Sequence, residues 1–224
     1  PSGLDAAAPA GRDAGGLEVL TEGLYVTDVP VLSEKPIEGD ILVHLEDKPR
    51  DDAVVKINGT VIPHAAPVAG IARPGMYDVG AAGLTGIGAK TKVTLEARVG
   101  GKTSTVSFTC PPEVAITSPA ANSGARQGDN LAVTWTGTLE AKTQFGPVVG
   151  VYACFTEATG NTVTALGHGS DFIHLVPGDT SATVPVKSVC ARYLLELRAV
   201  GAQEFSAGSG GVCYLQRRIW LKGP

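Results

Sequence analysis

The sequence contains no apolar run that approaches the roughly 18–20 residues required by a membrane-spanning helix. It also shows no signal-peptide pattern, and because it starts at a proline we expect a mature or trimmed chain. Residues 1–16 are mainly Ala, Gly and Pro without a hydrophobic period, which is typical of a flexible tether. Such a tether is compatible with a lipid anchor upstream of residue 1, and the alternative is an expression artefact.

An excess of basic charge is also missing. The formal net charge is -4 at pH 7. Residues 17–112 carry 12 acids against 9 bases, and residues 113–224 carry 8 of each. Because a phosphate backbone needs a basic protein face, we expect no nucleic acid partner.

Helical periodicity is absent too, in a chain with 29 glycines and 15 prolines. Instead, apolar and polar residues alternate over residues 92–99, as in a half-buried antiparallel strand. The chain turns at Gly100-Gly101 and returns as a second strand. Further strands are predicted at residues 41–45 and 53–57, and Asn58-Gly59 is the pair that a type I′ hairpin turn favours.

The second half shows the same strand pattern. The predicted strands cover residues 130–135, 147–155, 181–186, 192–200 and 211–221. Short strands separated by turn residues are typical of a β-sandwich, and Pro111-Pro112 interrupts any strand between the halves. We therefore predict an all-β protein with a tether at residues 1–16, one sandwich at residues 17–112 and a second at residues 113–224.

A family resemblance supports the second sandwich. The segment "NLAVTWTG" (residues 130–137), followed by "YLLELRAVG" (residues 193–201), resembles the second and sixth strands of fibronectin type III or related bacterial immunoglobulin-like domains. The resemblance implies that Trp135 is a core residue and that Tyr193 forms the corner contact of that family. Residues 17–112 resemble it more loosely. The cysteines and the segment at residues 156–174 depart from the family pattern.

The four cysteines lack C-x-x-C spacing, which argues against a zinc cluster. In the strand order that the resemblance implies, Cys154 lies near Cys190, and Cys110 lies near Cys213. We therefore predict these two disulfides and an oxidising compartment, and the alternative is four buried reduced thiols.

Two short motifs resemble sites of known chemistry. Residues 83–91 come within one residue of a phosphate-binding loop, but a strand follows where that loop needs a helix. Residues 207–211 resemble a nucleophile elbow, but no histidine follows Ser209. We expect both segments to be turns, and no cofactor fingerprint or catalytic residue is predicted.

Two places in the sequence carry side chains that can bind a metal ion. His168, Asp171 and His174 occupy one predicted loop and could bind a metal only with ligands from elsewhere. The acidic group at residues 46–52 is expected to solvate a turn, with a Ca²⁺ site as the unsupported alternative. Asn58-Gly59-Thr60 also matches the N-glycosylation pattern, although a turn accounts for its first two residues.

The last predicted strand offers the main candidate binding surface. If Leu215, Ile219 and Leu221 face the core, then Tyr214, Gln216, Arg218 and Trp220 form a row on the other face. Aromatic and cationic side chains in a row suit sugar rings or a peptide, so Tyr214, Arg218 and Trp220 are the predicted binding residues. The alternative is that the first module, a loop or a second copy covers this row.

These patterns predict a non-enzymatic, secreted or envelope-anchored cell-surface protein, whose sandwiches mediate adhesion or protein binding. Its expected partner is a protein or a cell-surface polysaccharide. One alternative is a carbohydrate-binding accessory module with Trp220 and Tyr214 as the sugar platform. Another is a passive spacer in a larger assembly.

Overall fold

The computed structural model describes residues 16–21, 23–31, 33–140, 146–156, 163–166, 172–201, 204–206 and 209–224. The described chain is built from twenty strands and one short 3-10 helix at Gly80–Ala82. None of its helices is long and apolar enough to cross a membrane. The predicted tether at residues 1–16 lies outside the described residues except for Gly16.

The strands have the following bounds. The first ten are β1 (Leu17–Thr21), β2 (Leu24–Thr27), β3 (Ile37–Glu38), β4 (Asp40–Leu45), β5 (Lys48–Pro49), β6 (Val54–Ile57), β7 (Thr60–Ile62), β8 (Met76–Asp78), β9 (Lys92–Val99) and β10 (Lys102–Thr109). The last ten are β11 (Ala115–Ser118), β12 (Asn130–Thr136), β13 (Val148–Phe155), β14 (Val163–Leu166), β15 (Phe172–His174), β16 (Ser181–Pro185), β17 (Arg192–Val200), β18 (Glu204–Ser206), β19 (Ser209–Gly211) and β20 (Cys213–Lys222).

The first sandwich pairs a sheet of order β10-β9-β6-β7 with a sheet of order β18-β19-β1-β4-β5, to which β8 is added through β4. The alternation predicted at residues 92–99 is confirmed, because Val93, Leu95, Ala97 and Val99 are all buried. The Asn58-Gly59 turn is confirmed as well: both residues have positive φ, 47° and 84°, and they join β6 to β7.

The second sandwich has the strand order of a fibronectin type III domain. A sheet of order β11-β12-β16 faces a sheet in which β14, β13, β17 and β20 are consecutive neighbours. Trp135 is buried as expected, and its indole N–H donates to the carbonyl of Asp179. The Tyr193 hydroxyl donates to the carbonyl of Ser188, 3.0 Å away, which is the corner contact that the resemblance implies.

Each sandwich also contributes strands to the sheet of the other. Strand β2 leaves the first sandwich and pairs in parallel with β20, and β3 extends the same sheet beyond β2. In return, the β18–β19 hairpin leaves the second sandwich, and β19 pairs in parallel with β1. The two sandwiches are therefore joined by two exchanged segments in addition to the Pro111-Pro112 junction.

The exchanged hairpin packs tightly against the first sandwich at Ser209 and Gly211. Ser209 is fully buried, and its hydroxyl accepts the backbone N–H of Val19 and shares a hydrogen bond with Ser104. A side chain at Gly211 would overlap the ring of Phe108, so this position requires glycine. The segment expected to be a turn is in fact partly strand β19, because it completes the sheet of the first sandwich.

Both predicted disulfides are confirmed. Cys154 pairs with Cys190 inside the second sandwich. Cys110, which follows β10, pairs with Cys213, the first residue of β20. The second bridge therefore links the end of β10 to the last strand of the chain. All four cysteines are buried.

Candidate binding site at the end of the last strand

The row of side chains on β20 is largely covered. Tyr214, Gln216 and Arg218 are 4%, 6% and 3% exposed, and only Trp220 retains intermediate exposure. The covering group is the segment from β2 to β3, as foreseen in the alternative that the first module covers the row. Two of the three predicted binding residues, Tyr214 and Arg218, are therefore buried, because the segment from β2 to β3 covers them.

The cover begins with an aromatic pair. Tyr25 of β2 stacks on Tyr214 of β20, with ring centroids 4.8 Å apart and planes 10° from parallel. The guanidinium of Arg198 lies 5.6 Å from the centroid of the Tyr25 ring. Stacked rings contribute about 0.5–1.5 kcal/mol beyond the area that they bury, so this contact is a specific attachment of β2 to the second sandwich.

Next to this pair, Arg218 is the centre of a buried ionic cluster. Its Nε donates to Glu196 at 2.7 Å, and its Nη1 donates to Glu34 at 2.5 Å and to the carbonyl of Val29 at 3.0 Å. Glu196 also accepts two hydrogen bonds from Arg198. Arg218 thus connects β17 and β20 to the covering segment, and its charge is neutralised there instead of facing solvent.

The electrostatics of the cluster agree with this arrangement. Burial alone would raise the pKa of Glu34, but hydrogen bonds from Arg218 and Tyr152 outweigh it and lower that pKa. Burial and the neighbouring Glu34 carboxylate raise the pKa of Tyr152 to about 12. Tyr152 therefore stays a hydrogen-bond donor to Glu34, and its ring lies 4.1 Å from the Arg218 guanidinium.

Trp220 is the predicted binding residue that borders an accessible cavity. The cavity holds about 400 Å³ and is lined by Asn122, Ala191, Arg192, Trp220, Leu221, Lys222, Gly223 and Pro224. Its volume falls within the range of roughly 300–1,000 Å³ that is usual for small-ligand sites. We call this cavity the end pocket.

Backbone hydrogen bonds hold the walls of the end pocket in place. The loop at residues 122–125 runs beside the end of β20, with Asn122 N–H donating to Trp220 and Ala125 N–H donating to Lys222. On the opposite side, Gly223 N–H donates to Ala191, which follows the disulfide-bonded Cys190. Walls that are already fixed lose little conformational freedom when a ligand binds.

The side chains of the end pocket carry positive charge. The Arg192 guanidinium lies 4.3 Å from the Trp220 ring centroid and 5.3 Å from that of Phe155. Lys222 is exposed at the pocket wall. No acidic side chain is among the described residues that line this cavity.

A second cavity of about 390 Å³ lies where the chain crosses between the sandwiches. Its lining includes Tyr25 and the acidic residues Glu38, Asp40 and Asp78, together with Arg73. Arg73 is 2.8 Å from Asp40 and neutralises it. The other two carboxylates accept hydrogen bonds from nearby backbone N–H groups, Glu38 from Lys35 and Asp78 from Ala81. These hydrogen bonds give both carboxylates a structural role.

The other sequence candidates do not form a site in the described structure. His168 and Asp171 lie outside the described residues, and His174 is the exposed last residue of β15. In the acidic group, Asp51 accepts the Gly75 N–H and contacts His64, while Asp52 pairs with Arg50. No group of three or more potential metal ligands is found among the described residues.

No family model and no curated protein matches this chain. Among solved structures, it is similar to fibronectin(III)-like modules of Clostridium thermocellum CbhA, at 12% identity over 91% of this chain and 94% of that one, with a TM-score of 0.24. It is similar to human protocadherin-24 EC1-2 at 10% identity, over 93% and 97% of the chains and with a TM-score of 0.26. A third match is titin A168169, at 12% identity over 93% and 96%, with a TM-score of 0.22. Because these scores are low, the fibronectin type III-like assignment stands on the strand order and the Tyr193 corner.

Sequence reasoning identified Trp220 but missed the residues around it. These residues are Asn122, Arg192 and Lys222, which are far apart in the sequence. The pairing of β17 with β20 brings Arg192 next to Lys222. The one sequence signal for this group is that Arg192 begins one predicted strand and Lys222 directly follows the end of another. Their register, Arg192 opposite Lys222, could be obtained only from the folded sheet.

Proposed function

We propose that this chain is a non-enzymatic, secreted or envelope-anchored cell-surface protein that holds a binding surface on a stiff pair of β-sandwiches and mediates adhesion. Its partner is a surface protein or polysaccharide. The observation that carries the proposal is the reciprocal exchange of β2–β3 and β18–β19. Modules that merely follow one another on a chain move relative to each other unless their interface is large, whereas shared sheets hold them in one orientation.

Three further contacts support stiffness over flexibility. The Cys110–Cys213 disulfide bridges the junction, and the Arg218 cluster fixes the covering segment to the second sandwich. The Tyr25–Tyr214 stack attaches β2 itself. Two disulfides also fit an oxidising compartment, where a protein exposed at the cell exterior would fold.

A carbohydrate-binding accessory module is the second candidate, favoured by the position of Trp220 in the end pocket. The sugar platform of Trp220 and Tyr214 that the sequence suggested cannot form, because Tyr214 is buried. Arg192 also lies over the Trp220 ring, so a sugar could stack on that face only after Arg192 moved. A passive spacer is the third candidate and needs no accessible site.

A cell-binding experiment separates these three. Fluorescently labelled protein is applied to cells of the source organism and to its host or neighbouring surfaces, after treatment with protease or periodate. Loss of saturable binding after protease supports a protein partner, and loss after periodate supports a glycan partner. Absence of saturable binding to every untreated surface would overturn adhesion in favour of the spacer.

A further inference from the structure

We infer that Asn58, in the turn between β6 and β7, is an acceptor site for N-linked glycosylation. The group that it takes is an oligosaccharide, and the donor is a lipid-linked diphosphate sugar of the secretory compartment. This modification rests on the secretion that the proposed function includes, and it adds a covalent site outside the end pocket. Three features point to it: the sequence of the turn, its exposure, and the way in which the Asn58 side chain is held.

The sequence of the turn contains one residue that the turn does not require. The acceptor pattern Asn-x-Ser/Thr, with x not proline, occurs once in the chain, at Asn58-Gly59-Thr60. A type I′ turn accounts for Asn58 and Gly59, which both have positive φ. Thr60 is exposed at the start of β7, and its hydroxyl makes no hydrogen bond among the described contacts. The glycosylation pattern needs a hydroxyl at this position, so it accounts for Thr60 as well.

The turn is also accessible to a bulky substituent. Asn58, Gly59 and Thr60 are all exposed, and a Cβ atom added at Gly59 would have no atom within 4 Å apart from those of the adjacent residues. Strand β7 is the last strand on its side of the sheet of order β10-β9-β6-β7, so the turn lies at the edge of the first sandwich. A glycan is large and hydrophilic, and it requires a surface position of this kind.

The contacts of Asn58 involve its oxygen and its backbone, and not its side-chain nitrogen. Oδ1 accepts the backbone N–H of Thr94 at 2.8 Å, and the backbone N–H of Asn58 donates to the Thr94 carbonyl at 2.9 Å. Because the amide is planar, directing Oδ1 at the Thr94 N–H directs Nδ2 away from it. Glycosylation leaves Oδ1 as an acceptor, so attachment of a sugar at Nδ2 breaks neither hydrogen bond.

The transfer itself needs no oxidant or reductant. Nδ2 forms a bond to the anomeric carbon of the donor sugar, while the bond from that carbon to the diphosphate oxygen breaks and the lipid diphosphate leaves with the electron pair. Nδ2 loses one of its two protons to the transferring enzyme and becomes a secondary amide nitrogen. The two disulfides place the chain in an oxidising compartment of the kind in which this donor is used.

The test is secretion of the full chain from a eukaryotic host cell, followed by intact mass measurement before and after treatment with a peptide N-glycosidase. We expect most secreted chains to carry additional, heterogeneous mass that the enzyme removes. The enzyme converts a glycosylated Asn to Asp, so the tryptic peptide that begins at Ile57 should then contain Asp at position 58.

Two variants of one residue separate the acceptor pattern from the turn. Thr60→Ala keeps Asn58, Gly59 and their turn but removes the hydroxyl, and it should abolish the added mass. Thr60→Ser keeps the hydroxyl and should retain the added mass. The melting temperatures of both variants, measured after enzymatic removal of any glycan, are compared with that of the parent chain to verify folding.

Three results would overturn the inference: a secreted, folded chain with unmodified Asn58, added mass that persists in Thr60→Ala, or its loss in a folded Thr60→Ser chain. This failure is distinguishable from failure of the proposed function. Saturable adhesion to cells by a chain that is not glycosylated under these conditions removes only the acceptor site. A glycan on Asn58 of a chain that attaches to no cell surface removes the adhesive role and leaves the site.

Discussion

Tyr25 and Tyr214 stack face to face across the parallel pair of β2 and β20, although one belongs to the first forty residues and the other to the last strand. Their contact joins the two sandwiches through side chains at the point where the backbones also pair. It follows that a change at Tyr25, which lies far from the second core in sequence, should alter the stability of the second sandwich.

The first prediction concerns this stack. Tyr25→Ala should lower the free energy of unfolding by about 2–3 kcal/mol, because it removes a half-buried ring together with its stacking contact. Tyr25→Phe keeps the ring and should recover most of the loss. Urea unfolding followed by Trp135 and Trp220 fluorescence measures both variants, and no effect of Tyr25→Ala would show that β2 contributes little to the second sandwich.

The second prediction concerns the ionic cluster. Arg218→Met removes one of the two arginine partners of the buried Glu196 and the arginine partner of Glu34, and it should cost about 3–5 kcal/mol. The double variant Arg218→Met/Glu196→Met removes the buried carboxylate as well, so it should be more stable than Arg218→Met alone. Denaturant unfolding measures the difference, and a double variant less stable than the single one would mean that Glu196 is held chiefly by Arg198.

The third prediction is a dependence of stability on pH. The pKa of Glu34 is lowered from 4.5 in the fold, so its stabilisation is present above that value and is lost as the pH falls through the folded pKa. Glu34→Gln should therefore flatten the acid side of the stability profile and lower stability at neutral pH. Chemical denaturation at intervals between pH 3 and pH 7 provides the profile.

Asp28 supplies a control of opposite sign. Burial raises its pKa above 3.8, against the opposing effect of Arg217, so the folded state binds its proton more readily than the unfolded state does. The ionised Asp28 therefore destabilises the fold, and its protonation relieves this cost as the pH falls. Asp28→Asn removes that compensation, so the free energy of unfolding should fall more steeply towards acid pH. If both substitutions changed the profile in the same direction, these assignments would be wrong.

The fourth prediction compares the disulfides. Cys110 and Cys213 are separated by 103 residues, and Cys154 and Cys190 by 36. Loop-closure entropy gives about 4.7 kcal/mol for the longer loop and about 3.8 kcal/mol for the shorter one. The Cys110→Ser/Cys213→Ser variant should therefore lose more stability than Cys154→Ser/Cys190→Ser, as measured by thermal unfolding. An equal or smaller loss would indicate that the junction is held by the exchanged strands alone.

A thiol titration checks the premise of this comparison. Denatured, non-reduced protein should contain no titratable thiol, because all four cysteines are paired. Four titratable thiols would remove the structural role of both bridges and the argument for an oxidising compartment.

Much of the fold was predictable from local patterns. Period-two alternation identified β9, β12 and the inner face of β20, and the spacing of Trp135 and Tyr193 indicated a strand order from which both disulfides followed. These features depend on neighbours along the chain or on one well-defined topology, and the structure confirms them.

The exchange of strands was not predictable in the same way. β2 has only four residues, and nothing in "LYVT" states which sandwich it joins. A signal was present in β17, where Leu194, Glu196 and Val200 on the second face are as buried as Tyr193 and Leu197 on the first. A strand with apolar residues on both faces is typically buried on both faces. The pattern therefore indicated that another segment packs on the second face of β17, but only the fold shows which segment it is.

Differential scanning calorimetry tests most directly whether the exchanged strands make the two sandwiches one stiff unit. We expect a single transition with a calorimetric enthalpy equal to the van't Hoff enthalpy, and Tyr25→Ala should move that transition as a whole. Two separable transitions, with Tyr25→Ala shifting neither or only the one that belongs to the first sandwich, would contradict it.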